Sequence, residues 1–395
     1  MSLSNSSARY GSLAKLFHWL TALGIFIMIP LGITANNAPS GNEAELAWKV
    51  QLFSAHKTLG IAVLVLAVIR IAWMLTQPKP APLHPERKLE TLAAETVHIL
   101  LYGSLILVPI SGWIEHAATT GFAPILWPLG QSLPFVPQSP ALAETMAGAH
   151  IVLERVLVIS LFLHIAGALK HAFVDRDQTL ARMLPGQADI PETEVTKHAN
   201  LPIVLALVAW VAAFGVAVNL GVFDHGPAQS AELEQVDTDW QVQTGELGLT
   251  IQQFGKPVTG AFETWTAAIT YDETLPDGKI GTVEVTVSIG SVSIGSVTSQ
   301  ALGADYFDNA QFPTATFTAD ILRTEGAHRA DGTLNLRGAS LPLSFPFDLK
   351  LDGDSATMTA SFALNRQDFG IGANMQDEGQ LANTVDVNVA LTATR

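Results

Sequence analysis

Four histidines lie within long apolar stretches of the sequence, at His18, His56, His150 and His164. An imidazole nitrogen is a strong ligand for haem iron and for transition metals. The chain has no cysteine, which excludes disulfides, iron–sulfur clusters, thiolate metal sites and covalent haem attachment through cysteine. Histidine is therefore the only strong ligand that the chain offers in quantity for a haem or a metal ion.

The positions of these histidines along their stretches suggest how they pair. His18 lies about one turn into the first stretch and His56 about one turn into the second, and consecutive membrane helices enter from opposite sides. His150 and His164 lie fourteen residues apart on the fourth stretch, which in a helix is about 21 Å, with both rings within about 40° of one face. Depth therefore pairs His18 with His164 and His56 with His150, and each pair can supply both axial ligands of one haem.

Two other interpretations stay open for these histidines. Each one taken alone can be an isolated polar residue that lines a cavity or caps a helix end. A zinc ion is a rival to haem, but two histidines at each level leave its usual four-coordinate shell incomplete.

The elements that position these histidines are apolar stretches long enough to cross a bilayer, which takes about 20 apolar residues. Only 14% of the residues are charged, as expected for a chain with membrane segments. Five stretches qualify, at residues 13–34, 52–75, 93–114, 146–173 and 201–223. The second to fourth contain ionisable residues, which are costly in lipid and normally face the interior of a bundle. The sequence therefore predicts a four-helix bundle followed by a fifth, uncharged helix.

Lysine and arginine concentrate in alternate connections between the stretches. The segment 115–145 has neither residue, and the connection after the first stretch has only Lys49. The basic residues lie in the N-terminal tail and after the second and fourth stretches: Arg9, Lys15, Lys79, Arg87, Lys88, Lys170, Arg176, Arg182 and Lys197. Because such residues favour the cytoplasmic side, we expect a multi-pass protein of a bacterial inner membrane, with a cytoplasmic N-terminus and a periplasmic C-terminal domain.

Residues 224–395 differ from the first half in charge and in pattern. They carry 8 Lys+Arg and 23 Asp+Glu, which accounts for the whole net charge of −15. This balance argues against nucleic acid as a partner. Alternating apolar and polar residues occur in short runs at 282–289, 315–321, 343–349, 357–364 and 385–392, with turns between them. Such period-two runs predict an antiparallel barrel or sandwich.

Several short motifs in the first half resemble those of one family. They are FHWL at 17–20, AHKTLG at 55–60, PISG at 109–112, GAH at 148–150 and DQTLARMLP at 177–185. Over about residues 8–186 the chain is similar to the prokaryotic di-haem cytochrome b(561) family. The resemblance implies two haem b groups, with His18, His56, His150 and His164 as axial ligands in the pairing given above. It also implies electron exchange with membrane quinone, ubiquinone in particular, and some members resemble superoxide oxidases that pass an electron from superoxide to ubiquinone.

Further candidates for chemistry are histidines and cations left over in the same half. His171 follows His164 by seven residues and so lies on the same helix face, and His98 also lies near the inner surface. We regard both as catalytic candidates that bind a quinone carbonyl or a haem propionate and relay a proton; the alternative is an interfacial polar residue without chemistry. Arg70 and Arg155 are candidates for pairing with haem propionates. We expect three histidines to be solvated loop residues: His84, His116 and His198.

Motifs of a second family occur in the acidic half. They are VEVTV at 283–287, ADYFD at 304–308, QFPTATF at 311–317, DGTLNLRG at 331–338 and NRQDFGIG at 365–372. Over about residues 238–395 the chain resembles the YceI-like family, which implies a lipocalin-like antiparallel barrel around a polyisoprenoid chain. Without that resemblance, a filled barrel core and a cavity for one small ligand are equally open. By strand position, the candidates for the pocket lining are Phe254, Phe262, Trp265 and Phe317.

The sequence thus predicts a protein of α and β domains. These are a four-helix transmembrane di-haem bundle at 1–186, a cytoplasmic connector at 187–200, a fifth transmembrane helix at 201–223, a linker at 224–237 and a periplasmic lipocalin-like β-barrel at 238–395. We expect a quinone-linked oxidoreductase, with superoxide oxidase as one candidate activity, whose barrel binds an isoprenoid or a quinone tail. The alternative is a membrane-tethered lipid-binding or transfer protein whose cytochrome part is mainly an anchor.

Overall fold

The computed structural model describes residues 2–119, 123–186, 200–223, 231–233 and 238–395. Of the connector predicted at 187–200 only Asn200 is described, and of the linker predicted at 224–237 only residues 231–233. The remaining residues of both, His198 among them, lie outside the described part of the chain.

The first half is helical. Its helices are α1 (Ser12–Asn37), α2 (Glu43–Leu75), α3 (Lys88–Ala118), α4 (Pro140–Lys170) and α5 (Leu201–Asn219). Helix α4 continues into one π-helical turn, His171–Asp175. Within the described residues, five helices are long and apolar enough to cross a membrane, which confirms the predicted number of membrane helices.

Side-chain caps mark where two of these helices begin. The Asn42 side chain accepts a hydrogen bond from the backbone N–H of Glu45, and two acidic residues occupy the first turn of α2. Ser139 accepts from the backbone N–H of Leu142 at the start of α4. Such caps satisfy backbone donors that have no partner within the helix, and acidic residues there interact favourably with the helix dipole.

The helices pack through small apolar clusters. Ile25, Val63, Ala67 and Leu105 form a cluster shared by α1, α2 and α3. Helix α5 packs on α3 and α4 through Leu100, Val156 and Ala206. Many large apolar side chains instead point outward and are exposed, among them Leu23, Phe26, Val65, Phe162 and Val211. An apolar outer surface of this kind is typical of contact with lipid.

The segment after α4 ties together the end of the bundle at which α1 begins and α2 and α4 end, which we call the inner end. The buried guanidinium of Arg182 donates to the backbone carbonyls of Ala81, at 2.9 Å, and Ala8, at 2.6 Å. Lys15 donates to the carbonyl of Leu184 at 2.7 Å. The DQTLARMLP motif therefore joins the N-terminal tail, the α2–α3 connection and the end of α4.

The second half is one antiparallel sheet that curls into a barrel. Its ten strands pair in the order β3-β4-β6-β7-β8-β9-β10-β1-β2-β5. The strands are β1 (Gln241–Gln253), β2 (Lys256–Phe262), β3 (Trp265–Tyr271), β4 (Gly278–Ser288), β5 (Val292–Ser293), β6 (Thr314–Thr324), β7 (Ala327–Leu336), β8 (Ala339–Asp352), β9 (Ser355–Asn365) and β10 (Leu381–Thr394). The five predicted alternating runs lie in β4, β6, β8, β9 and β10, so the antiparallel fold class is confirmed.

Candidate functional sites

Three histidines from three helices meet towards the end of the bundle at which α1 begins, the inner end as named above. The rings of His18 on α1 and His164 on α4 have their centres 6.1 Å apart. The ring of His98 on α3 lies 5.1 Å from that of His164. Arg70 on α2 places Nη2 at 3.3 Å from Nδ1 of His18. The structure therefore brings a cation, a predicted pair and the additional candidate His98 into one group.

Two histidines face each other towards the opposite end of the bundle, which we call the outer end. The rings of His56 on α2 and His150 on α4 have their centres 6.5 Å apart, with their planes at 76°. Nδ1 of His150 lies 2.9 Å from the backbone carbonyl of Val108. A carbonyl oxygen only accepts, so Nδ1 carries the proton and Nε2 keeps a lone pair that can bind a metal.

Glycines make room for the outer rings. A Cβ added at Gly32 on α1 would lie 2.8 Å from Cε1 of His56, and one added at Gly112 on α3 would lie 3.0 Å from Nδ1 of His150. Real Cβ atoms do not approach other heavy atoms as closely as 2.8 Å. The space beside each outer ring thus depends on the absence of a side chain on the neighbouring helix.

The ring spacings test whether these residues fit haem iron. A metal-bound imidazole nitrogen lies about 2 Å from the metal, so two axial imidazoles have ring centres roughly 6 Å apart. The separations within the inner and outer pairs, 6.1 and 6.5 Å, agree with this value. The 5.1 Å between His98 and His164 is too short for it. The guanidinium of Arg70 can only donate to Nδ1 of His18, so iron binding through Nε2 of His18 requires Arg70 to leave Nδ1.

A hydrogen-bonded group surrounds His171 on the π-helical turn. Nδ1 of His171 lies 2.7 Å from Oδ2 of Asp177, and Nε2 of His84 lies 3.1 Å from the same oxygen. The two imidazole rings are parallel, with centres 6.5 Å apart. Burial opposes ionisation of Asp177, but hydrogen bonds from Thr179 and His171 outweigh it and lower the pKa of Asp177 to about 2. The carboxylate therefore stays ionised at neutral pH.

The acidic residues near His171 already have a cation. Carboxylate oxygens of Glu90 and Asp175 and a ring nitrogen of His171 lie within 4.8 Å of one another. The Lys170 ammonium donates to Glu90 at 2.8 Å and to Asp175 at 2.9 Å. The positive charge of Lys170 therefore compensates these carboxylates without a bound metal ion.

A second polar group lies at the outer end of the bundle, beside the outer pair. His116 is 8% exposed, its Nε2 lies 2.9 Å from Oε1 of Gln131, and its Nδ1 lies 3.3 Å from Nζ of Lys57. Lys57 also donates to the backbone carbonyl of Ala123 at 3.2 Å. The expectation that His116 is a solvated loop residue was wrong, because α3 extends through residue 118 and carries His116 into the bundle.

Two further residues, His84 and Arg155, do not lie where the sequence predicted them. His84 was expected in solvent but is bonded to Asp177 in the group around His171. Arg155, expected beside a propionate, lies exposed on α4 with Glu154 as its ion-pair partner at 3.5 Å. Val156, the next residue, is buried, so Arg155 lies on a different face of α4 and points away from the bundle interior. Hydropathy along the sequence did not show which face of α4 is buried.

The barrel encloses a cavity of about 320 Å³. Phe262, Trp265 and Phe317 line it among many other apolar side chains. Phe254 does not: it has a positive φ of 50° in the turn between β1 and β2, and it packs at the end of the barrel beside Leu46. The sequence did not show that β1 ends one residue before it.

The sequences of both halves match known families. The profile of the prokaryotic cytochrome b561 family matches residues 9–186, and that of the YceI-like domain matches residues 238–393. The chain is 32% identical over 185 residues to "Cytochrome b561 homolog 2" of Escherichia coli (strain K12), which is 47% of this chain and 95% of that protein. It is 29% identical over 178 residues to "Probable superoxide oxidase CybB" of Yersinia pestis, 45% of this chain and 96% of that protein. Burkholderia cenocepacia BcnA, a solved structure, has 24% identity and a TM-score of 0.36, covering 38% of this chain and 96% of BcnA.

The fold and the sites define a multi-pass membrane protein with facing intramembrane histidines and an attached antiparallel barrel. The chain belongs to the prokaryotic cytochrome b561 family and carries a YceI-like domain after it, so the predicted fusion of these two families is confirmed. Membership of the first family implies haem b as cofactor and electron transport as the general role.

Proposed function

We propose that the bundle binds two haem b groups and moves electrons between them and ubiquinone. The observation that carries this proposal is the spacing of the two histidine pairs, 6.1 Å for His18 with His164 and 6.5 Å for His56 with His150. When bound, each haem supplies one-electron redox chemistry that the side chains lack. His150 and His164 are separated by about 21 Å along α4, so the two pairs offer an electron route through most of the bilayer.

The proposed quinone site is at His171. Its Nδ1–H donates to the ionised Asp177, which leaves Nε2 free to accept a proton from a quinol hydroxyl. In the reverse direction, the protonated ring donates from Nε2 to a quinone carbonyl. His98, whose ring lies against His164, is the second candidate for contact with quinone or a propionate. Arg70, next to His18, offers a positive charge to a propionate at the inner end.

The barrel is proposed to lie in the periplasm and to bind an isoprenoid or the tail of a quinone. The distribution of lysine and arginine supports a cytoplasmic N-terminus and, after five spans, an outer C-terminal domain. The almost wholly apolar lining of the 320 Å³ cavity supports a ligand with a hydrocarbon chain.

The test is stopped-flow reduction of the purified full-length chain by superoxide and by ubiquinol, side by side, followed through the b-type absorbance. We expect at least one donor to reduce the protein, and His171→Ala to slow the quinol reaction by tenfold or more without loss of haem. His328→Ala, in the barrel strand β7, is the control and should leave both rates unchanged. Failure of both donors to reduce the protein would end the proposal.

The second candidate function is a membrane-tethered lipid-binding or transfer protein whose helices serve mainly as an anchor. The apolar cavity is the observation that favours it. Truncation after residue 223 removes the barrel but keeps α5 in the bundle, and so separates the two functions. If reduction by quinol or superoxide changes, the barrel serves the redox reaction; unchanged rates would indicate two independent functions on one chain.

A further inference from the structure

One end of the barrel rests on the outer end of the bundle. A carboxylate oxygen of Glu43, the first residue of α2, accepts from the backbone N–H groups of Gln376 at 2.6 Å and Asp377 at 2.5 Å. The Asn374 side chain donates to the backbone carbonyl of Gly41. These bonds join the start of α2 to the barrel segment between β9 and β10.

Apolar packing reinforces this contact. The side chain of Leu46, one turn into α2, is 0% exposed and packs with Met375 and Leu381 of the barrel. Partly buried side chains around this cluster include Ile251 and Tyr306, which also line the cavity. A bundle residue thus closes part of the barrel at the end of its cavity.

Two more barrel segments at the same end lie near the bundle. Gly295, in the connection between β5 and β6, lies against Thr119 at the end of α3. Lys256, the first residue of β2, is close enough to act electrostatically on Lys57 and His116, the polar group beside the outer histidine pair. The junction therefore covers the outer ends of α2 and α3.

Three polar side chains of the cavity lie at this same end. Gln253 is the last residue of β1, next to the turn that leads to Lys256, and Gln300 donates to the Tyr306 hydroxyl at 3.1 Å. Gln253 is 6% exposed, and its Oε1 has no hydrogen-bond partner among the described residues. A buried acceptor without a partner is unfavourable, so a ligand that donates a hydrogen bond here gains affinity.

We propose that Gln253 binds the hydroxyl head of a prenyl-chain alcohol or quinol whose chain lies in the barrel, and that this head is thereby held at the junction with the outer end of the bundle. The inference rests on the proposed function of the barrel as an isoprenoid site. The unpartnered atom is an oxygen, so the head must donate a hydrogen bond. A prenol or quinol hydroxyl does so, whereas a hydrocarbon or an oxidised quinone ring does not.

The specificity test compares two probes with the same chain, farnesol and farnesene, by native mass spectrometry of the full-length protein in detergent. The wild-type chain should bind farnesol roughly tenfold more tightly. Gln253→Leu should remove this preference while retaining farnesene, and that retention reports an intact barrel. Gln252→Leu, the exposed neighbour on the outer face of β1, should keep the preference. Ubiquinol-2 and ubiquinone-2, tested in the same way, then distinguish a quinol from a prenol as the preferred source of the hydroxyl.

The outcomes separate this inference from the proposed function. Binding of neither farnesol nor farnesene would remove the isoprenoid function of the barrel and with it the inference. Equal binding of both by the wild-type chain, or a preference that survives Gln253→Leu, would overturn the inference alone.

Cross-linking tests whether this end of the barrel lies on the bundle, and introduced cysteines can be used because the sequence contains none of its own. A short bis-maleimide should cross-link the double variant Glu43→Cys/Gln376→Cys in membranes. The control pair Glu43→Cys/Asp354→Cys, with Asp354 in the turn between β8 and β9 at the opposite end of the barrel, should stay uncoupled. Cross-linking of the control pair alone would place the other end of the barrel on the bundle. Equal cross-linking of both pairs, or of neither, would show that the barrel has no fixed junction with the bundle. Each of these results would overturn the location inferred for the head group.

Discussion

At the scale of single residues, the outer pair depends on two glycines as much as on its histidines. Gly32→Ala should displace the ring of His56, because the added Cβ would lie 2.8 Å from Cε1. We expect this variant to lose about one of two haems, measured by the pyridine haemochrome absorbance per chain. Gly167→Ala, in α4 with nothing within 4 Å of the added Cβ, is the matched control. It should keep both haems and gain up to about 1 kcal/mol of helix stability.

Asp177 should act on quinone chemistry through His171. Asp177→Asn removes a charge-assisted hydrogen bond at 2.7 Å, and we expect quinol-driven reduction to slow by roughly tenfold or more with haem content unchanged. Glu86→Gln, an exposed partner of His84 at 3.3 Å, is the control and should react at the wild-type rate. A normal rate for Asp177→Asn would remove His171 from the quinone site.

The depressed pKa of Asp177 also has a consequence for stability. The folded value of about 2 lies below the ordinary value of 3.8, so the stabilisation is fully present above about pH 4. It is lost as pH falls towards 2, because protonation removes the charge that His171 and Thr179 bind.

At the scale of elements, Arg366 organises the barrel segment that contacts the bundle. Its buried guanidinium donates to five backbone carbonyls, those of Ala382, Ile371, Gly372, Met375 and Leu381. Lysine has three donors on one nitrogen, so Arg366→Lys removes at least two of these five hydrogen bonds. We expect a loss of about 2 to 4 kcal/mol in barrel stability, measured by thermal unfolding.

The control for Arg366 is an exposed arginine of the same sheet. Arg329→Lys, paired with Asp331 at 3.4 Å on the surface of β7, should unfold at the wild-type temperature. An equal change in unfolding temperature for the two substitutions would show that the five carbonyls bound by Arg366 add no more stability than one exposed ion pair.

Helices and strands were predictable where one pattern extends over many residues. Each of the five apolar stretches is long enough, as a helix, to cross the hydrocarbon core of a bilayer. The alternating runs in β4, β6, β8, β9 and β10 have the two-residue period of a strand. The π-helical turn at His171 was not predictable, because it depends on contacts of that turn with Asp177 and Lys170 rather than on periodicity. The burial of His116 was missed for a related reason, since charge and polarity suggested a loop where α3 continues.

At the scale of the whole molecule, the contact between the halves could not be read from the sequence. Glu43 and the residues it binds are more than 330 positions apart, and no local pattern joins them. Strand position correctly predicted that Phe262, Trp265 and Phe317 line the cavity. The same prediction was wrong for Phe254, because β1 ends at Gln253 and Phe254 lies in the turn that follows.

Membrane orientation is a prediction at this scale. In spheroplasts that express single-cysteine variants, a membrane-impermeant maleimide should label Asp354→Cys in the barrel without permeabilisation. It should label Ser4→Cys in the exposed N-terminal tail only after the membrane is opened. The reverse labelling pattern would place the barrel in the cytoplasm.

The two histidine pairs are the central claim, and haem counting in single variants tests it most directly. The purified wild-type chain should show a b-type spectrum with about two haems per chain. His164→Ala and His150→Ala should each retain about one, and redox titration should show that the two variants have lost different haems. A wild-type chain that purifies without haem after haem-replete expression, or loss of both haems from either single substitution, would contradict the account.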